Sequence, residues 1–198
     1  KDLLLRTGIR HYFSAVVCGD MVRFFLPNPV LWNAEQPRLY TLAIGYNGEW
    51  MAEKIGIREI TVRDSVVLLN GKPIKFKGVN RHDSDPYTGY AVSPEHMRRD
   101  LLLMKRHNLN AVRTSHYPND PRFPQMCDEL GLYLIAEADL ECHGVQPAGD
   151  FNLIANDPAF EAAVIDRERR LVERDKKRTS VVIWSIGNAS RYGPVLRG

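Results

Sequence analysis

The stretch S-V-V-I-W-S-I-G-N-A-S, Ser180 to Ser190, decides the fold. Val181, Val182, Ile183, Trp184 and Ile186 form an apolar run that is rich in β-branched residues and too short for a helix. Gly187 and Asn188 break it. This is the pattern of a strand buried on both faces of a parallel sheet and stopping at its C-terminal end. Barrel enzymes keep their chemistry at that end of their strands, so the tail of this stretch is the first place to look for a site.

Upstream, from Val66 onward, strand and helix patterns alternate, which predicts a parallel sheet with crossover helices. After a hairpin at Asn70-Gly71, Lys75 to Val79 is expected as the first strand of that sheet. Ser93-Pro94-Glu95 opens a helix to about His107, with Ser93 as N-cap. Asn110 to Thr114 is the second expected strand, Asp120 to Leu130 a helix broken by Pro124, and Leu132 to Ala138 the third strand. A long helix, Asp157 to Lys177, starts with Asp157 as cap and Pro158 in its first turn. Its inner side is expected to carry Phe160, Val164, Ile165, Leu171 and Val172. Four β/α units make half a (β/α)8 barrel. The first sixty or so residues read differently, as short strands at His11 to Val17, Met21 to Leu26, Leu39 to Tyr46 and Glu53 to Val62. Pro27, Pro29, Pro37 and the hairpin pair Asn47-Gly48 separate them, which suggests half or more of a β-sandwich.

Composition bounds the function classes. With 44% apolar and 26% charged residues the chain is an ordinary globular protein, and a net charge of +3 is too small to argue for nucleic acid, so no nucleic-acid partner is expected. The run Lys176, Lys177, Arg178 reads as a solvated helix end that complements the dipole. No apolar segment approaches the roughly 18 residues of a membrane span, and Lys1-Asp2-Leu3 does not read as a signal peptide, so no membrane partner is expected. Cys18, Cys127 and Cys142 are odd in number and lack metal-ligand spacing, which fits a reducing cytoplasm.

Three expected strand ends carry polar clusters that a purely structural strand does not need. They are G-V-N-R-H-D (Gly78 to Asp83), R-T-S-H-Y-P (Arg113 to Pro118) and E-A-D-L-E-C-H-G (Glu137 to Gly144). Each alone is weak evidence, but their convergence on one rim of a parallel sheet points to a substrate site. Glu137 and Asp139 read as paired residues at a buried strand's end, not as reacting acids. His11, His96 and His107 fall on a sandwich strand and the first helix, where a structural role suffices.

The motifs K-G-V-N-R-H (Lys77 to His82), R-T-S-H-Y-P, the E-x-H pair at Glu141 and His143, and W-S-x-G-N (Trp184 to Asn188), in this order, closely resemble the large β-galactosidases of glycoside hydrolase family 2. The segment N-P-V-L-W-N-A-E-Q-P-R-L-Y, Asn28 to Tyr40, resembles the immunoglobulin-like domain that precedes the barrel in that family. The resemblance implies an immunoglobulin-like β-sandwich segment over 1-63, incomplete at its start, followed by the first half of a (β/α)8 TIM barrel over 64-198. It implies that His82 and His116 sit beside the sugar ring, the second stabilising the transition state, and that Asn188 binds the sugar 2-hydroxyl. Arg113 matches a structural arginine at the barrel mouth. Glu141 and His143 match two ligands of a magnesium ion, Mg2+, a chemically reasonable donor pair for an ion that keeps several waters.

Two departures from the family pattern then matter. Where the family carries its general acid/base glutamate, which also binds the magnesium, this chain has Ala189. A methyl group neither protonates a glycosidic oxygen nor activates water. The continuation R-Y-G-P-V-L-R-G, from Arg191, also differs from the glycine-rich one expected, and the family's nucleophilic glutamate lies on later strands. The expectation is therefore a segment of a cytoplasmic retaining β-galactosidase, acting on terminal β-D-galactosides in the intact parent and inert alone. Its expected partners are a β-galactoside sugar and either further copies of itself or the remaining barrel half. Two alternatives stay open: another family 2 glycosidase, such as a β-glucuronidase or β-mannosidase, and a non-catalytic sugar-binding or complementing module.

Overall fold

The computed structural model describes residues 26 to 150, 152 to 190, 193 and 195. The expected strand His11 to Val17 and most of Met21 to Leu26, with His11 and Cys18, lie outside the described residues, as do most residues after Ser190. Strands β1 (Tyr40–Tyr46) and β2 (Glu49–Ile55) form an antiparallel hairpin. Its two-residue turn is Asn47-Gly48, whose φ values of 48° and 85° are what such a turn demands. Strands β3 (Ile60–Arg63), β4 (Val66–Leu69) and β5 (Lys72–Pro73) make a second antiparallel sheet, with the anticipated Asn70-Gly71 turn between the last two. The strand expected from Glu53 to Val62 is thus two strands. Gly56 interrupts it because its amide donates to Thr179 Oγ1 at 2.7 Å, and a β-carbon at 56 would lie 2.5 Å from the Thr179 methyl. The boundary expected at 63/64 falls in the β3–β4 turn.

The larger sheet is parallel, with β6 (Gly78–Arg81), β7 (Ala111–Thr114), β8 (Tyr133–Glu141) and β9 (Val181–Asn188) in sequential order. Sequential order without a reversal is an arc of a barrel, not a doubly wound sheet. Helices α1 (Pro94–Arg106), α2 (Arg122–Leu130), the single turn α3 (Leu153–Asn156) and α4 (Glu161–Asp175) make the crossovers. Ser93 caps α1 as expected, its hydroxyl accepting from the His96 amide at 3.2 Å. Pro124 does not break α2. It is the third residue of that helix, where an amide has no intrahelical partner to lose.

Three further boundaries shift for identifiable reasons. β6 starts at Gly78, not Lys75, because the Asn110 side chain takes over the backbone of that stretch. Its amide nitrogen donates to the Lys75 carbonyl at 3.0 Å and its oxygen accepts from Lys77 N at 2.7 Å. β8 runs on to Glu141, well past Ala138. The cap at Asp157 is present, accepting from Ala159 N at 2.9 Å, but it opens a 3-10 turn, Pro158–Phe160, ahead of α4. The stripe that α4 buries is narrower than expected: Val164 and Leu171 are covered, whereas Phe160 and Ile165 are 40% and 46% exposed.

The core between sheet and helices contains Met97, Leu101, Val112, Phe123, Leu134 and Leu171. A second cluster closes the N-terminal end of the sheet. There Trp32, fully buried, donates from Nε1 to the Asp128 carbonyl at 2.9 Å and meets the Tyr133 ring edge-on at 5.9 Å. Lys105 ties this plug down by donating to both the Ala34 and Gly131 carbonyls. Asp128, beneath it, has its carboxyl pushed up to about 6 by burial, against the pull of the Ser180 hydrogen bond. With one end sealed, the opposite, C-terminal end is the face left to bind a ligand. Among the described residues no helix is long and apolar enough to cross a membrane.

Candidate active site

Side chains alternate across the sheet, so Ala136 and Ala138 of β8 face the helices while Glu137 faces the concave side. Glu137 is fully buried and is the hub of that side. It accepts from Arg113 Nε at 2.6 Å, from Ser185 Oγ at 2.6 Å and from His116 Nδ1 at 2.7 Å. A carboxylate only accepts, so Nδ1 of His116 carries the proton and Nε2 is turned toward Glu141, 3.7 Å from Oε2. Arg113 spans the rim, reaching Asn80 on β6 at 3.4 Å and Asn188 on β9 at 3.2 Å. A guanidinium with a planar fork of five donors is suited to holding three strand ends at once.

The next layer up depends on an irregularity. The β8–β9 register shifts between Glu137 and Leu140, a bulge of the kind that re-aims side chains beside functional sites. After it, Glu141 lies opposite Asn188, and the Asn188 amide donates to Glu141 Oε2 at 2.9 Å. Gly187 permits this approach, since a β-carbon there would lie 2.2 Å from the Leu140 carbonyl oxygen. Gly187→Ala is accordingly expected to force β8 and β9 apart at a cost of about 2–3 kcal/mol. Urea unfolding and amide exchange at Cys142, whose N–H donates to the Asn188 carbonyl, would read it; unchanged exchange there would rule out the bulge.

Burial raises the Glu141 carboxyl, but donation from the His143 amide and the Asn188 side chain, with His116 and His143 nearby, outweighs it and holds the group below its usual value. His143 Nδ1 lies 3.3 Å from Glu141 Oε1. The two residues matched to magnesium ligands do converge. Yet both Glu141 oxygens already accept a hydrogen bond, and among the described residues no group of three His, Cys, Asp or Glu is arranged to hold a metal. Ala189, half-buried just beyond Asn188 with φ of 50°, adds no donor. Two protein donors without a third do not make the near-octahedral oxygen shell that Mg2+ prefers, so the residues present do not fit a tightly held magnesium ion.

His82, exposed at the end of β6, packs edge-to-face on His116 with ring centroids 5.3 Å apart. Below it Arg81 is buried, bonded to Asp83, Asp100 and Asn119 and stacked over the Phe123 ring at 4.5 Å. Thus His82, His116, Glu141, His143, Asn188 and Ala189 share one rim. Glu137 is paired within the buried strand end as expected, but Asp139 is not: it points to solvent and meets the half-exposed Arg167 of α4 at 3.1 Å. The hub role of Glu137 and the contribution of Ser185 and Asn80 were not anticipated; the available signal was an acid on the concave side of an otherwise apolar strand.

Comparison with known proteins bears on this rim. Residues 60–197 match the model of the glycosyl hydrolases family 2 TIM barrel domain. The chain is 46% identical to a β-galactosidase of Actinobacillus pleuropneumoniae, over 82% of this chain and 19% of that protein. It is 44% identical to a β-galactosidase of Staphylococcus xylosus, over 86% of this chain and 18% of that protein. The chain thus spans less than a fifth of the length of these curated relatives. Among solved structures, a β-glucuronidase of Faecalibacterium prausnitzii matches with TM-score 0.74 and 31% identity, over 88% of this chain and 30% of that one. One of Ruminococcus gnavus matches with TM-score 0.75 and 27% identity, over 84% and 29%.

Proposed function

The chain belongs to family 2 of the glycosyl hydrolases, and from that premise we propose that it is the substrate-binding arc of a β-galactosidase barrel. The observation that carries the proposal is the single rim on which His82, His116, Glu141 and Asn188 meet beside position 189. In this reading Asn188 and His82 bind sugar hydroxyls, and His116, fixed by Glu137, offers Nε2 to the ring as charge develops. The relatives named β-galactosidase, at 44–46% identity, favour galactose over glucuronic acid, the sugar named in the solved structures at 27–31%.

Retaining hydrolysis takes two carboxylates about 5 Å apart, one an acid/base and one a nucleophile. We assign the acid/base position to Ala189 and the nucleophile to barrel strands other than β6 to β9, so these 198 residues alone bind without turning over. The same reading makes residues 1-63 the end of an immunoglobulin-like sandwich, places the protein in the cytoplasm with Cys127 and Cys142 as free buried thiols, and gives the sheet edge at β9 either another copy or the remaining barrel half as partner. Ala189 also favours a second reading, in which the arc serves binding or complementation without catalysis.

Titrating the chain with methyl β-D-galactoside by ligand-observed NMR tests the function. Binding that is lost in His116→Ala, with aryl β-galactosides hydrolysed no faster than in buffer, is the expected result. Tighter binding of a β-glucuronide, or turnover abolished by His116→Ala, would overturn it. Magnesium is assigned to forms bearing a carboxylate at 189: Ala189→Glu should raise magnesium affinity in calorimetry by adding a third donor beside Glu141 and His143. Equal binding by both forms would place those two residues away from that position.

A further inference from the structure

His116 is fixed by its ring, through Glu137, but His82 is fixed in another way. Among the described residues no side chain hydrogen-bonds the His82 imidazole, which packs on the rings of His116 and Tyr117 at 5.3 and 6.0 Å. Its direction is therefore set by its backbone. The two peptide planes that flank the His82 Cα are both held by the loop after β7. The Arg81 carbonyl accepts from Ser115 N at 3.0 Å and from Ser115 Oγ at 3.3 Å. Asp83 N donates to Tyr117 Oη at 3.0 Å, and that hydroxyl donates to the Asp83 carbonyl at 3.3 Å. Residues 81 and 83 are thus tied to residues 115 and 117, with the two histidines between them.

The opposite side of the sheet completes the brace. Alternation along β6 sends Asn80 to the concave side and Arg81 toward the helices, where Asp83 is bonded to it. An apolar residue would suit position 81, since Phe123 of the core lies there. Instead a guanidinium, 6% exposed, stacks over that ring at 4.5 Å. Burying a charge carries a large desolvation cost, and a buried ion pair adds little net stability over an apolar pair of the same size. What this one adds is geometry. Arg81 Nη1 donates to Asp83 Oδ1 at 2.5 Å and to Asn119 Oδ1 at 3.0 Å, while Nε donates to Asp100 of α1 at 3.0 Å. A planar fork that takes three acceptors at fixed angles sets how far apart residues 81 and 83 stand, and so the angle at which His82 leaves the strand.

We propose that Arg81 and Asp83 are positioning residues for the galactose site: their buried ion pair, behind the rim, holds His82 at the angle that brings its ring against His116. The proposal rests on the galactoside reading above and adds to it that affinity depends on a carboxylate buried behind the sugar-binding surface. Asp83→Ala tests it, because Arg81 keeps Asp100 and Asn119 and the chain should still fold. Affinity for methyl β-D-galactoside, by ligand-observed NMR, should fall about fivefold. The NOE between the His82 and His116 ring protons should be lost, while the amide shifts of Leu101 and Leu134 in the core stay. Asp83→Asn, isosteric and still an acceptor for Arg81, should keep the ring contact and most of the affinity. Arg81→Lys, which keeps the charge and loses the fork, repeats the comparison with the same two losses expected, and decides if Asp83→Ala does not fold. Affinity unchanged in the folded variant overturns the proposal, whatever happens to stability, and leaves the galactoside reading standing. A fall in affinity with the ring contact intact overturns it too, since the pair then does not act through His82. Failure of the native chain to bind the sugar overturns both.

Discussion

Glu137→Ala is expected to cost the chain about 3–5 kcal/mol, a large share of the stability of a domain this size. The substitution removes one buried carboxylate and leaves three partners behind: Arg113, His116 and Ser185. Arg113 and His116 are 25% and 21% exposed and Ser185 is part-buried, so each can turn partly to water, which sets the loss toward the lower end. Glu137→Gln should cost less, since its oxygen still accepts from one donor, but its amide must then face the guanidinium. Urea unfolding of the three forms measures both. A loss under about 1 kcal/mol for Glu137→Ala would mean that water already satisfies these donors and that the concave side is looser than the hydrogen bonds imply.

This hub is also the clearest case of what the sequence hides. Local signals were sufficient for the Asn47-Gly48 and Asn70-Gly71 turns, for Ser93 as a cap and for the apolar run Val181 to Ile183, because each is set by residues adjacent in the chain. The errors share a different origin. Gly56 ends a strand by contact with Thr179, and Asn110 takes the backbone of Lys75 and Lys77, partners 123 and 33 to 35 residues away. The bulge that pairs Glu141 with Asn188 depends on Gly187 meeting Leu140 across two strands. Periodicity cannot report such pairings, since it describes one element at a time. The rim residues were legible because motif order stood in for three-dimensional proximity; the residues supporting them, Glu137 above all, were not.

The same division shows in the packing of Trp32. Its segment reads as an irregular Pro-punctuated stretch, yet its indole is fully buried beneath the parallel sheet and bonded to α2. A tryptophan that must satisfy one N–H while burying a large ring needs a carbonyl at a fixed place, and the end of a helix supplies it. Chain ahead of the barrel thus seals the end away from the site. That leaves the rim at His82, His116 and Asn188 as the place where chemistry can be added or withheld by one side chain.

In the proposed reading position 189 is that side chain, and a complete family 2 β-galactosidase barrel carrying this segment in place of its own would test what it contributes. Ala189→Glu is expected to raise kcat/KM for a galactoside with an alkyl or sugar leaving group by about 10²–10⁴-fold, the range that a positioned general acid supplies. The gain should depend on the leaving group. An alkoxide is a poor leaving group and needs the proton, whereas a dinitrophenolate departs without one, so the first step for a dinitrophenyl galactoside gains little. Water must still be activated to release the covalent intermediate, so with Ala189 the activated substrate should show a burst of dinitrophenolate followed by a slow steady state. Asn188 and Glu141 hold the strand end in place in either form through their 2.9 Å bond, so binding of the galactose ring itself should change little. If Ala189→Glu accelerates both leaving groups equally, the residue at 189 is not delivering the proton, and the acid/base must be sought elsewhere on the rim.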